Sequence, residues 1–341
     1  MTRKFSTDNQ SNLFSRRDFL HAMGATGLVM SAGSLFAGCQ VELDENLLAF
    51  PGMSVPPVLA GDPSKPWWLR GNYAPVMDEL EAYDLEVTGS IPPELDGFFL
   101  RNGPNPASGD TSYWLFGDGM IHGVELSGGK AVSYINKWVQ TTAREEGEWS
   151  LLSNLANTSL LHHGGKLRAL YESGAPHVVN LPDLSTEGID HFDFDLKGPM
   201  GAHPKVDPVT GELFFIGYAP LPPYLRFHTV NPAGQLVRSE EIVLPRGVMM
   251  HDFQITKNYV VFFDLPMVFR LTEEASFPAE FVPEHGARMG VMPRDGGNAD
   301  IRWFDINPCY IFHSMNAFED GSGRVHVEGC RFPNIWENGF S

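Results

Sequence analysis

From Leu85 onward the chain is a succession of short β-forming runs, each cut by a turn signal. No segment past residue 66 carries a long, well-capped 3.6-residue apolar pattern. Gly97-Phe98-Phe99-Leu100, Lys166-Leu167-Arg168-Ala169-Leu170-Tyr171, Glu212 through Tyr218 and Tyr259 through Asp264 are such runs. Asp-Pro-Val-Thr-Gly at 207–211, Asn-Pro-Ala-Gly at 231–234 and Asp-Gly-Ser-Gly at 320–323 separate them. The pattern predicts an all-β protein, either a sandwich or a propeller. The 35 Gly and 26 Pro fit that turn density without reaching a low-complexity composition.

A recurring phrase favours the propeller. A turn, a histidine and then a hydrophobic strand recur at His203, His251 and His313, at separations of 48 and 62 residues. Each interval suits one four-stranded blade with a variable loop. Equivalent positions on successive blades face one axis, so three histidines placed there would converge as metal ligands do.

The chain has 12 His, and most need an ordinary reading. His122, in a Gly-Asp-Gly-Met-x-His block, reads as structural. His162 and His163 are neighbours in a strand and face opposite sides. His228, His285, His177, His191 and His21 read as loop or leader residues without partners, and His326 as an ordinary strand residue. A formal net charge of −18, with no basic run after residue 17, excludes a nucleic-acid partner. Three cysteines make no disulfide framework; Cys309, and with it Cys330, reads as a small packed hydrophobe.

The first 40 residues read as an export signal. Ser15-Arg16-Arg17-Asp18-Phe19-Leu20 is a twin-arginine signature, followed by an uncharged stretch to Gln40. Leu35-Phe36-Ala37-Gly38-Cys39 resembles a lipoprotein cleavage box, with Cys39 as the residue to be lipidated; Phe36 stands where that box usually has Leu, so simple cleavage stays open. Residues 41–66 read as a Pro/Gly-rich linker, and 67–341 as the folded domain. The expected location is the periplasm or cell envelope.

The segments around the three histidines resemble the metal-binding segments of the carotenoid cleavage oxygenase family, which includes the lignostilbene dioxygenases. So do Ile91–Gly97, Arg101-Asn102-Gly103-Pro104-Asn105-Pro106, Phe116–His122 and Arg288–Arg294. The resemblance covers about residues 70 to 341. It implies a seven-bladed propeller with Fe(II) on its axis, held by four histidines, of which His203, His251 and His313 carry over. Nothing in the chain matches the fourth. Leu170-Tyr171-Glu172-Ser173-Gly174 resembles the segment that supplies a glutamate to the far nitrogen of a ligand imidazole. No other catalytic side chain is implied.

The resemblance further implies cleavage by O₂ of a conjugated C=C bond in a carotenoid, apocarotenoid or stilbene, giving two carbonyl products. Residues 218–225 and 266–269 are apolar loops that suit a tunnel mouth, a membrane contact or ordinary packing. Without leader and linker about 275 residues remain, roughly six blades' worth, so the propeller is expected to be incomplete. Two other readings stand beside this one: an inactive or incomplete relative, and a propeller binding protein or calcium-type lactonase, which would carry acidic or amide groups on its axis.

Overall fold

The structure is a computed structural model that describes residues 61–147, 153–193, 195–270 and 278–335. The twin-arginine signature, Cys39 and most of the expected linker lie outside the described residues.

Four four-stranded antiparallel sheets follow one another along the chain. The first contains β1 (Leu80–Tyr83), β2 (Gly97–Pro104), β3 (Gly119–Ser127) and β4 (Lys130–Trp138), in the order β1-β4-β3-β2. The second runs β5 (Ser159–His163), β6 (Lys166–Leu170), β7 (His177–Val179) and β8 (Thr186–Ile189). The third is β9 (Lys205–Val206), β10 (Leu213–Tyr218), β11 (Leu225–Val230) and β12 (Leu236–Ile242). The fourth pairs β13 (Gln254–Ile255), β14 (Tyr259–Asp264), β17 (Ala287–Pro293) and β18 (Arg302–Ile306). A hairpin of β15 (Met267–Phe269) and β16 (Ala279–Phe281) is inserted after β14, and β19 (Ser314–Glu319) pairs with β20 (Val325–Gly329) at the end. One five-residue helix, α1 (Thr142–Glu146), capped by the Thr141 hydroxyl, interrupts this succession.

The packing explains why the sheets stack as blades. β10, Leu-Phe-Phe-Ile-Gly-Tyr, is buried at every position. Side chains alternate across a strand, so Phe214, Ile216 and Tyr218 enter one cluster with Phe262 and Met292 of the fourth sheet. Leu213 and Phe215 enter another, with Leu170 and Phe192. β14 divides likewise: Val260 and Phe262 face the third sheet, whereas Val261 and Phe263 face the cluster containing Tyr310 and Ile311. Ile121 and Ile135 of the first sheet meet Leu167 and Val179 of the second. Each core therefore lies between consecutive sheets, which is the all-β propeller architecture expected. The described residues supply four of its blades and two further hairpins, β15-β16 and β19-β20.

The inner strands are also tied to one another. The Asn102 amide of β2 donates to the Ala156 carbonyl, 2.8 Å away, just before β5. The Ser159 hydroxyl of β5 donates to the Ala202 carbonyl at 2.6 Å, one residue before His203.

Three histidines read as partnerless loop residues are instead built into this framework. His228 lies in β11 with its Nδ1 2.7 Å from the hydroxyl of Ser239, its register partner on β12. His285 sits 2.9 Å from the buried Asp264 carboxylate. His177 begins β7 and is buried. Cys309 is buried as expected, but Cys330 is exposed, not packed, and both thiols are free.

Two predictions follow from this packing. Phe262 is fully buried and its ring meets that of Phe227 edge-on at 5.9 Å. Phe262→Ala should cost about 3–5 kcal/mol in urea unfolding, whereas Phe304→Ala, at a half-exposed site, should stay within about 0.5 kcal/mol. Burial depresses the pKa of His228 to about 4. The unfolded chain takes up that proton near pH 6.5, so this contribution to stability is complete above that value and is lost as the pH falls toward 4. His228→Phe should flatten that part of the stability–pH curve.

Candidate metal centre

Each of the three recurring histidines stands just before the first strand of a sheet: His203 before β9, His251 before β13 and His313 before β19. These strands begin with irregular backbone, which frees the preceding residue to turn toward the axis. The His203 segment lies against β10, where Gly201 donates its N–H to the Ile216 carbonyl at 2.8 Å. The approach needs glycine on both sides. A Cβ at Gly217 would collide with the Pro199 carbonyl oxygen, and one at Gly201 would come within 2.7 Å of the Ile216 oxygen. The His251 segment is held from the other direction, by the Tyr310 hydroxyl donating to the Met249 carbonyl at 2.9 Å.

The three rings converge. His251 Nε2 lies 3.0 Å from His203 Nε2 and 3.1 Å from His313 Nε2, and one ligand atom from each ring lies within 4.8 Å of the others. Among the described residues no fourth side chain joins this group. His203 and His251 are half-buried and His313 is exposed, so one side of the centre is left uncovered by the described residues. Phe312 packs edge-on against His251 with centroids 5.7 Å apart.

Glu172, in the loop after β6, places Oε2 2.6 Å from His251 Nδ1. That is ion-pair distance, although the contact departs from ideal hydrogen-bond alignment. Burial alone would raise the Glu172 pKa, but the neighbouring His251 charge outweighs it and holds the carboxyl ionised. Burial alone would lower that of His251, but the Glu172 carboxylate carries it above its usual value. His203 is pushed down to about 4, by burial and then by the His251 charge. His313 moves down for the same two reasons. Two rings therefore stay neutral, the form in which imidazole binds a metal.

The donor set fits a metal ion. When His251 releases its Nε2 proton and keeps Nδ1–H toward Glu172, its Nε2 presents one lone pair, which cannot satisfy two close nitrogens at once. A cation between the rings satisfies all three. Two nitrogens each about 2.1 Å from one ion and about 90° apart would lie about 3.0 Å from each other, which matches the two separations that involve His251.

The other described histidines take no part. His122 contacts the Tyr134 hydroxyl at 2.8 Å, and His326 the Asp320 carboxylate at 2.9 Å. His162 is exposed and His163 buried, facing opposite ways. The sequence reading missed Tyr218 and Tyr310. The buried Tyr218 hydroxyl faces Glu172, and both phenols are held protonated, first by burial and then by the Glu172 charge. Their place in apolar runs gave no sign of this.

The two apolar segments meet, although the second is not a loop: Met267–Phe269 form β15, paired with β16. Pro220 and Tyr224 from one, with Val268 and Phe269 from the other, line a cavity of about 340 Å³ whose rim carries Arg246 and Arg270. Gly247, also in its wall, leads directly into the His251 segment.

Glu172→Gln removes the charge that raises the His251 pKa and leaves the burial that lowers it. In the metal-free protein, histidine resonances followed by NMR should show His251 titrating lower in the variant than in the unsubstituted chain.

Comparison with known proteins adds to this geometry. The family model described as retinal pigment epithelial membrane protein matches residues 73–340. A carotenoid 9,10(9′,10′)-cleavage dioxygenase 1 of Arabidopsis thaliana is 38% identical over 312 residues, covering 78% of this chain and 58% of that protein. A carotenoid cleavage oxygenase of Mycobacterium tuberculosis is 36% identical over 313 residues, covering 74% and 62%. The crystal structure of Pseudomonas brassicacearum lignostilbene dioxygenase superposes with a TM-score of 0.69 at 31% identity, covering 75% of this chain and 59% of that one. The chain thus spans about three fifths of the length of these relatives.

Proposed function

The chain belongs to the retinal pigment epithelial membrane protein family, the carotenoid cleavage oxygenases, and we propose that it is a non-haem Fe(II) dioxygenase cleaving a conjugated C=C bond of a carotenoid, apocarotenoid or stilbene. The observation that carries this reading is the convergence of the His203, His251 and His313 Nε2 atoms, with Glu172 behind His251. Three imidazoles suit iron, His251 releasing its Nε2 proton as the ion binds, and a carboxylate on the far nitrogen fixes a ring's tautomer and orientation. Iron bound there would supply O₂ activation.

The chain's own residues do the rest. His203 and His313 offer neutral nitrogens, and Glu172 keeps the Nδ1 proton of His251 so that Nε2 faces inward. Tyr218 and Tyr310 remain protonated and hold no charge near the centre. The lips at Pro220–Tyr224 and Val268–Phe269, with Arg246 and Arg270, line an open cavity that offers a lipophilic polyene or styryl group a place to dock. The same lips suit contact with a membrane surface as a source of such a substrate. The carotenoid and lignostilbene activities named for the relatives support both substrate classes.

We carry the export reading forward as well. The chain leaves the cytoplasm by the twin-arginine route for the periplasm or cell envelope, which Arg16-Arg17 supports; the Leu35–Cys39 box, with Phe36 in place of the usual Leu, leaves both lipidation at Cys39 and simple cleavage open.

The purified chain, loaded with Fe(II), should consume O₂ and yield two carbonyl products from at least one member of an apocarotenoid and stilbene panel. Each product oxygen should become labelled under ¹⁸O₂. Iron bound without cleavage of any panel member would favour a binding protein; no iron bound would defeat the metal reading.

A further inference from the structure

The carboxylate next to His251 reaches all three histidine segments. Asp252 is buried, at 2% exposed. Its Oδ1 lies 2.7 Å from Lys205 Nζ, on the residue two after His203. Its Oδ2 accepts from the Ser314 N–H at 2.9 Å and the Ser314 hydroxyl at 2.6 Å, on the residue after His313. The Ser314 hydroxyl in turn accepts from the Gln254 amide of β13 at 2.9 Å. Asp252 itself follows His251. One side chain is thus bonded into three consecutive sheets, within two residues of a converging imidazole in each.

Glu172 cannot do this, because it touches a ring and not the strands. The blade cores cannot do it alone, because β9 and β13 are two residues long and bring few ladder bonds to the axis. The pairing is also well matched in charge. The Lys205 ammonium compensates the buried carboxylate, and no side-chain polar atom of Lys205, Asp252, Gln254 or Ser314 is buried without a partner, which is the condition under which a buried charge is tolerated.

We propose that Asp252 is a positioning residue for the metal centre, setting the mutual distances of His203, His251 and His313 by tying their three strand starts to one carboxylate. This rests on the metal reading above and goes beyond it, because it assigns the spacing of the rings to a group that touches none of them.

The test is Co(II) titration of the full metal-free chain, followed by visible ligand-field absorbance, with a thermal midpoint for each variant. Asp252→Asn keeps the shape but removes the charge, and should weaken Co(II) binding roughly 10- to 100-fold and alter the absorbance band. Lys205→Met should move affinity in the same direction by a smaller factor, and it carries the test if the first variant does not fold. Asp264→Asn is the control. That carboxylate is equally buried, in the same sheet, and bonded to Arg288 and His285, away from the rings.

Support requires that Asp264→Asn leave Co(II) affinity and spectrum unchanged even if it lowers the thermal midpoint as much. If Asp252→Asn and Lys205→Met bind Co(II) as tightly as the unsubstituted chain, or if Asp264→Asn weakens binding equally, the positioning role is overturned while the metal reading stands. If the unsubstituted chain binds no Co(II), the metal reading fails and this proposal fails with it.

Discussion

Burial of the middle strands on both faces is the constraint from which the remaining structure follows. β10 and β14 have almost no polar face, so each requires an apolar neighbour on either side. A two-layer sandwich covers each strand on one face only. Successive four-stranded sheets that share cores cover both, and this forces the sheets into a stacked succession. The outer strand β12 alternates intermediate and exposed positions until its end, as expected where one side meets water. Once the sheets stack in this way, their inner edge strands, β2, β5, β9, β13 and β19, lie nearest one another, and the segments that enter β9, β13 and β19 are delivered to a common place.

What arrives there is polar, and it must be compensated. Three imidazoles, the Glu172 and Asp252 carboxylates and the Lys205 ammonium occupy a small, largely buried region. Glu172 is committed to a ring, whereas Asp252 is committed to Lys205 and Ser314. A neutral ligand set leaves the charge of any divalent ion to nearby carboxylates, and only Glu172 is not already balanced by a fixed cation. The division separates two tasks: one carboxylate tunes and orients a ligand, and the other fixes the framework.

The legible parts of the sequence were those in which a local pattern carries the information. Continuous apolar runs at 213–218 and 259–264 announced doubly buried strands, and a histidine at the edge of three such units announced convergence. The Asp252 knot was not legible, because its partners lie 47 residues upstream and 62 downstream and depend on how three sheets abut. His228 was misread for a related reason. A polar residue inside Leu-Arg-Phe-His-Thr-Val looks out of place until the register sets Ser239 opposite it. Glu172 was found through family resemblance, since a single glutamate at a strand end has many uses. Tyr218 and Tyr310 were hidden because an aromatic in an apolar run satisfies the core reading completely.

Tyr218 also shows why core and centre cannot be treated as separate designs. It ends β10, packs in the same cluster as Phe214 and Ile216, and turns its hydroxyl toward Glu172. Gly217, one residue earlier, leaves room for the backbone that carries His203. Three consecutive positions of one strand therefore fill a core, admit a ligand segment and face the carboxylate behind His251. A site built in this way is held by packing before any ion arrives, which is how ligand atoms come to be kept within a few tenths of an ångström of a binding geometry. Removing a core side chain from β10 would then loosen the rings through the strand that carries both, with no ligand contact altered directly.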